Sequence, residues 1–341
     1  MFAGFSLKHV INMTDKVGIF EHCINSSVNQ FEGYCVDDNA RALSVCLKLN
    51  GKVKKTAQQL IPIYFSFLKR ASDKKGFHQD LNSDLRWKDD PKVEEGYGRA
   101  MTALAETIVL SEKEEQKSTA ELIFDQQSTL IPTIKYPKVI AHVIIALSIR
   151  IELMKSPHLI NQLIELSDKL VKDYHNHSSK DWKWYEDLIT YDNSRLALAL
   201  FCAYQVTNKK NYLEIGKESL DFLIEKTYNN SQKVFSFIGN KGWYQRGKKP
   251  AVFDQQPIEA GSMVEACVKL YQIIKETKYQ QLANTAFSWY SGQNILCLSL
   301  IDNLSGGIYD GLEIGSVNKN EGAESILSYI AAYLALETTK K

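Results

Sequence analysis

Val36-Asp37-Asp38-Asn39-Ala40-Arg41-Ala42-Leu43 passes from a polar, acidic cluster straight into a small-residue, apolar helix start. The same transition recurs five more times along the 341-residue chain. The recurrences are Glu94-Glu95-Gly96-Tyr97-Gly98-Arg99-Ala100, Lys135-Tyr136-Pro137-Lys138-Val139-Ile140-Ala141-His142, Thr190-Tyr191-Asp192-Asn193-Ser194-Arg195-Leu196, Phe253-Asp254-Gln255-Gln256-Pro257-Ile258-Glu259-Ala260 and Asn320-Glu321-Gly322-Ala323-Glu324-Ser325-Ile326. Equivalent points fall at residues 41, 99, 142, 195, 259 and 324, at roughly even intervals. The third cluster has no carboxylate and is the weakest of the set. A repeat of this length marks stacked supersecondary units that bury a shared core. Each unit reads as two helices, and six helix pairs predict a closed all-α (α/α)6 toroid, with residues 1–341 as a single domain.

Working outward, each cluster leads into a helix apolar on nearly all sides, the pattern of a helix buried within a structure. These inner helices are expected at about 38–50, 96–111, 136–151, 192–206, 256–275 and 321–338. Between them lie amphipathic segments with one charged face, at about 54–70, 115–131, 157–175, 211–228 and 277–291. They read as an outer ring with one face in water. A sixth outer helix is either short, within 19–30, or absent. Links from inner to outer helices are short, as in Asn50-Gly51-Lys52-Val53. Most links from outer to inner helices are long, at about 72–95, 176–191, 229–255 and 292–320, and long loops in a compact domain carry function or are disordered. These are rich in Trp and Tyr. The long loops therefore gather where the inner helices begin, and that end is expected to be the functional face, with helix N-termini and their positive dipole ends converging there.

Composition narrows the classes. A 44% hydrophobic content supports a large core. Forty-one basic residues against 40 acidic ones, with no basic stripe, argue against nucleic acid. Met1 to Asp15 lacks a charged segment followed by an apolar run, so no signal peptide is expected. No run approaches the ~18 apolar residues of a membrane span. The six cysteines form no CxxC pair, and the histidines have no metal-site spacing, so neither disulfide framework, metal nor other cofactor is expected. A cytoplasmic location follows as the expectation.

The clusters carry the chemistry. Helix capping uses one carboxylate, so the adjacent pair Asp37 and Asp38, with Arg41 one turn on, asks for more than a cap. Tyr191-Asp192-Asn193-Ser194-Arg195 repeats the pattern. Pro257 fits a first helical turn, with Asp254 as the cap and Glu259 a turn further in. Asp181-Trp182-Lys183-Trp184-Tyr185-Glu186-Asp187 joins aromatic faces, which stack on sugar rings, to carboxylates, which bond hydroxyls or move protons. Trp87 and Trp243 add similar combinations. His142 reads as a satisfied core residue. Glycoside hydrolysis needs a paired acid and base or nucleophile, and such a ring of acids, amides and tryptophans suits it.

The runs Gly33 to Leu43, Glu186 to Leu196, Asp254 to Ala260 and Asn320 to Ser325, with Thr14-Asp15-Lys16-Val17-Gly18-Ile19-Phe20-Glu21-His22 upstream, resemble those of bacterial six-hairpin glycosidase-like proteins. Related domains occur fused behind glycosyltransferase domains. The resemblance spans about 9–336, with Ser194 where the related motif usually has Ala, and it implies the toroid and an oligosaccharide or sugar substrate. It also admits a glycosyltransferase acting in trans. The expected catalytic carboxylates are Asp187 with Asp38 or Glu321. Expected substrate-binding residues are Tyr34, Asp37, Arg41, Trp87, Glu95 and Arg99 in the first half of the chain. Trp182, Trp184, Glu186, Tyr191, Asp192 and Arg195 follow, then Trp243, Asp254, Gln255, Gln256, Glu259 and Asn320. Glycoside hydrolysis leads. A non-catalytic glycan-binding or glycosyltransferase-assisting module is the alternative. Phosphorolysis would use Arg246, Lys248 and Lys249 in a mouth loop. Sugar isomerisation or epimerisation ranks lower, because it wants histidine bases and only His78 and His142 qualify. The hydrolytic reading requires Asp38, Asp187, Asp254 and Glu321 to meet around one bowl.

Overall fold

The computed structural model describes residues 4–340, so Met1–Ala3 and Lys341 of the expected single unit lie outside the described residues. Twelve α-helices carry the described chain. In chain order they are α1 (Lys8–Asn12), α2 (Val36–Lys48), α3 (Lys54–Ala71), α4 (Glu95–Leu110), α5 (Glu114–Ser128) and α6 (Pro137–Leu153). Then come α7 (Pro157–His177), α8 (Ser194–Thr207), α9 (Lys210–Thr227), α10 (Pro257–Ile274), α11 (Thr277–Ser288) and α12 (Ala323–Glu337).

The even-numbered helices form the inner ring. Each packs on the next, and α12 packs on α2 to close the circle. The odd-numbered helices α3 to α11 pack outside them as the second arm of each hairpin. Solvent decides which ring a helix joins. α6 buries Val139, Ile140, Val143, Ile144, Leu147 and Ile151 around its whole circumference, whereas α7 buries one stripe, Leu159, Leu163, Leu166 and Leu170. Where α4 meets α6 the backbones approach closely: a Cβ on Gly98 would stand 2.9 Å from the His142 Cβ.

The sixth outer position is filled by α1, which packs against α12. It is short, as expected, but it lies at Lys8–Asn12, while Cys23–Ile24 and Ser27–Val28 form a small antiparallel ribbon where a helix was anticipated. Five residues cannot display a helical period, which is why the sequence concealed it.

The long loops lie where the inner helices begin, stitched by two-residue antiparallel pairings between non-adjacent segments. Tyr34–Cys35 pairs with Asp80–Leu81, and Leu188–Ile189 pairs with Tyr244–Gln245. Gln255 bridges to Leu312, and the backbone N–H groups of Glu321 and Ala323 donate to the carbonyls of Asn25 and Glu21. This last pair joins the final loop to the first. None of the described helices is long and apolar enough to cross a membrane.

Candidate active site

The first turns of the inner helices supply the charged residues. Helix α2 begins at Val36 and is capped by Cys35, whose Sγ accepts the Asp38 N–H at 3.4 Å. Neither Asp37 nor Asp38 is therefore spent as a cap, and both carboxylates stand in the first turn. Arg41, one turn (about 6 Å) along the helix, reaches Asp38 at 2.8 Å, Asp37 at 3.5 Å and Glu324 of α12 at 2.7 Å. Arg99 of α4 repeats the device. Its guanidinium holds Asp37 at 3.0 Å, Glu95 at 2.9 Å and Asp192 at 3.0 Å. Asp192, fully buried, also meets His142 Nε2 and Arg195 Nε, each at 3.3 Å, and Arg195 continues to Glu265 at 2.7 Å. Tyr191 donates its hydroxyl to Glu95. Lys138 donates to the Tyr191 carbonyl at 2.5 Å and to Asn193 Oδ1, while the Asn193 amide donates to Glu259 at 2.8 Å. All six inner helices thus contribute to one ionic layer near their N-terminal ends.

Electrostatics splits the acids into two kinds. Burial opposes ionisation of Asp192, but Arg195, Arg99 and His142 overcome it and hold this carboxyl well below the usual range. Glu95 goes the same way, with Arg99 and the Tyr191 hydroxyl outweighing burial. Asp37 goes the other way. Burial raises it to about 7 despite Arg99 and Arg41. Burial also raises Glu259 to about 7, and its Oε1 has no hydrogen-bond partner. His142 is driven down to about 3 by burial and the neighbouring Arg99, so it is neutral at physiological pH. The Arg99 guanidinium thereby holds two acids with lowered pKa, Glu95 and Asp192, and one, Asp37, raised to about 7.

Of the residues expected at the site, Asp37, Asp38, Arg41, Glu95, Arg99, Tyr191, Asp192, Arg195 and Glu259 share this layer. Apart from Trp243, the other expected residues make their contacts elsewhere. Asp187, 62% exposed, pairs with Arg246 at 3.1 Å and His177 at 3.6 Å on a surface loop. Glu321 is buried beneath the first hairpin, where Ser305 donates to it at 2.6 Å and His9 lies 3.5 Å away. Asp254 sits beside Lys241 at 3.7 Å and does not cap α10, whose cap position is Gln256. The four acids expected to meet around one bowl thus keep separate partners, and of them only Asp38 is bonded within the layer.

The aromatic expectations divide similarly. Trp182 and Trp184, 3% and 1% exposed, leave no ring face for a ligand. Trp182 donates Nε1 to the Glu186 carbonyl and abuts Phe222 and Tyr244; Trp184 abuts Tyr185. Glu186 is half-buried on the same loop. Tyr34 stacks on Phe20 and donates to Asp15. Gln255 is buried and accepts from the Phe237 N–H and Trp289 Nε1, and the Asn320 side chain accepts from the Asn25 N–H. These are loop-packing residues. Trp87, stacked on His78, and Trp243, tilted against Tyr191 at 5.9 Å, remain half-buried. Trp243 thus touches the layer through Tyr191.

Sequence reasoning missed Lys138, His142, Asn193, Glu265 and Glu324 as members. The third cluster looked weak for lack of a carboxylate, yet its Lys138 and His142 are partners of residues 191–193. The available signal was their spacing, one helical turn apart on one face.

Two predictions arise here. Trp184→Ala lowers stability by about 3–5 kcal/mol, as for large aromatic truncations in cores, measured by denaturant unfolding. A variant of unchanged stability would contradict its packing role. For Glu259, the folded protein keeps a proton up to about 7 that a free side chain releases near 4.5. Its stabilising contribution is full below the lower value and is lost as pH rises through about 7. Glu259→Gln is therefore more stable than the parent at pH 8, by up to about 3 kcal/mol. The difference should vanish near pH 4 in thermal melts; a pH-independent difference would contradict it.

The ring of six hairpins around a polar axis is an (α/α)6 toroid. Among solved structures, the chain resembles a cellobiose 2-epimerase from Bacillus thermoamylovorans at 15% identity and TM-score 0.77, over 98% of this chain and 96% of that chain. A D-mannose isomerase matches at 13% and 0.75, over 98% and 95%. A glycoside hydrolase family 76 mannosidase from Bacteroides thetaiotaomicron matches at 10% and 0.69, over 98% and 97%. No protein-family model matches the chain, and no curated protein does.

Proposed function

We propose that the chain is a carbohydrate-active enzyme that hydrolyses glycosides by carboxylate acid–base chemistry at the ionic layer. The observation carrying this reading is the pairing of Asp37 and Glu95 on Arg99. Arg99 bonds Asp37 at 3.0 Å and Glu95 at 2.9 Å and so holds two carboxyls side by side, the pairing glycoside hydrolysis needs. Asp37, protonated to about 7, donates to the leaving glycosidic oxygen. Glu95, kept ionised by Arg99 and Tyr191, takes the proton of a water whose oxygen bonds the anomeric carbon. Glu95 is 26% exposed and begins α4, so it faces the loop side. Trp243, beside Tyr191, supplies an aromatic face for a sugar ring. Asp187 and Glu321 have no role in this step.

Sugar epimerisation or isomerisation is a second reading, favoured by the likeness to the 2-epimerase and the isomerase. A neutral His142 on Asp192 is its candidate base. One experiment separates the two: a panel of manno-, gluco- and galacto-oligosaccharides incubated in 18O-water and, separately, in deuterium oxide. Hydrolysis yields shorter sugars carrying 18O at the new reducing end. Epimerisation yields sugars of unchanged length carrying solvent deuterium on carbon. Binding without either product would overturn both enzymatic readings in favour of a glycan-binding module.

A further inference from the structure

The ionic layer has a second side. Beneath it, along the ring axis, lies a cavity of about 1000 Å³ lined by all six inner helices, from the ionic layer down to their C-terminal ends. Its floor includes Arg41, Arg99, His142 and Arg195, and its rim includes the exposed Lys52, Glu152 and Gln205. Asp37 and Glu95, a turn nearer the helix starts, do not line it. The cavity thus opens at the end of the ring opposite the long loops and the proposed acid–base pair.

From this cavity we infer a second, separate binding site for a neutral polyhydroxylated molecule of one or two sugar rings. Glu106 is the first ground. It lines the cavity, it is 5% exposed, and its Oε1 accepts from Lys48 at 2.6 Å. Its Oε2 is buried without a hydrogen-bond partner. A buried carboxylate oxygen without a donor calls for one from a ligand. The walls are the second ground. Val45, Ile145, Leu198 and Leu327 alternate with Ser44, Thr102 and Ser328, offering apolar surface for C–H faces and hydroxyls that both donate and accept. Charge excludes a cation, because Lys48, Lys52, Lys269 and the arginine floor outnumber the carboxylates of the lining, and the Glu106 oxygen repels an anion at the one point where a donor is needed. The volume is ample for a small-molecule site. The inference stands independently of the reaction proposed at the loop side, since neither Asp37 nor Glu95 lines the cavity.

The test uses the full chain carrying Asp37→Asn and Glu95→Gln, so that the probe is not turned over at the loop side. Cellobiose, D-mannose and D-glucose are titrated by calorimetry and saturation-transfer NMR. At least one of them binds, and adding Glu106→Gln weakens it by about tenfold or more, the worth of a hydrogen bond to a charged group. Ala331→Phe, which fills the cavity from α12 without touching the ionic layer, abolishes it while thermal melts show a folded ring. Should Ala331→Phe prove unfolded, Ala331→Leu takes its place with the same expected direction. Binding indifferent to Glu106 and Ala331, or none of the three sugars binding, overturns the inference.

Discussion

Asp192→Asn is expected to lower the stability of the ring by about 3–5 kcal/mol, the cost of breaking a buried ion pair from one side. The Asp192 carboxylate is wholly buried and is shared by Arg99, Arg195 and His142. Removing its charge leaves two guanidiniums partly uncompensated at the axis, where the six inner helices meet. The substitution isolates charge from backbone strain. Asp192 has φ of +46°, and asparagine tolerates that left-handed conformation well. Its carboxyl is held below the ordinary range in the folded state. The stability it provides is therefore present above the unfolded value, about 3.9, and lost as pH falls through the folded one. Denaturant unfolding at pH 7 and pH 3 measures both. A loss under about 1 kcal/mol at pH 7 would mean the layer is decorative.

The second large effect is on rate. Asp37→Asn and Glu95→Gln should each reduce turnover of the cleaved glycoside about 10²–10⁴-fold, the range for general acid–base groups, with KM nearly unchanged. The pH profile follows from the two environments. Asp37 must be protonated, so activity falls as pH rises through about 7. Glu95 must be ionised, so activity falls only below its lowered value. Asp187→Asn and Glu321→Gln should leave the rate within a few-fold of the parent. A collapse of activity on Asp187→Asn would return the chemistry to the loop and remove Asp37 from its role.

Much of this architecture was legible in the sequence because water sorts the helices. Inner helices such as α6 are buried over most of their length and apolar nearly all round, outer ones such as α7 are striped, and most helix ends fell within about two residues of expectation. The site was half legible. Residues in the first helical turns, Asp37, Glu95 and Glu259, point inward because helix phase fixes their direction, and Arg41 and Arg99 follow one turn on; Asp192, just ahead of α8, is aimed by its left-handed backbone instead. Loop residues obey no such phase. Whether Trp184 faces a ligand or the core depends on Tyr185 and on the pairing of residues 188–189 with 244–245, contacts between distant segments that no local pattern encodes. Asp187 was misplaced for the same reason, and Glu321 because the final loop folds under the first. Lys138 and His142 were overlooked because a cation that completes another cluster's acids looks idle within its own.

The account turns on an acid that holds its proton up to about 7 beside one that is ionised well below that. The direct measurement is a carbon-13 NMR titration of the side-chain carboxyls in the parent and in Asp37→Asn. The account predicts a resonance titrating at about 7 in the parent that is absent from the variant. A resonance assigned to Asp37 that titrates near 4, among the ordinary carboxylates, would contradict it.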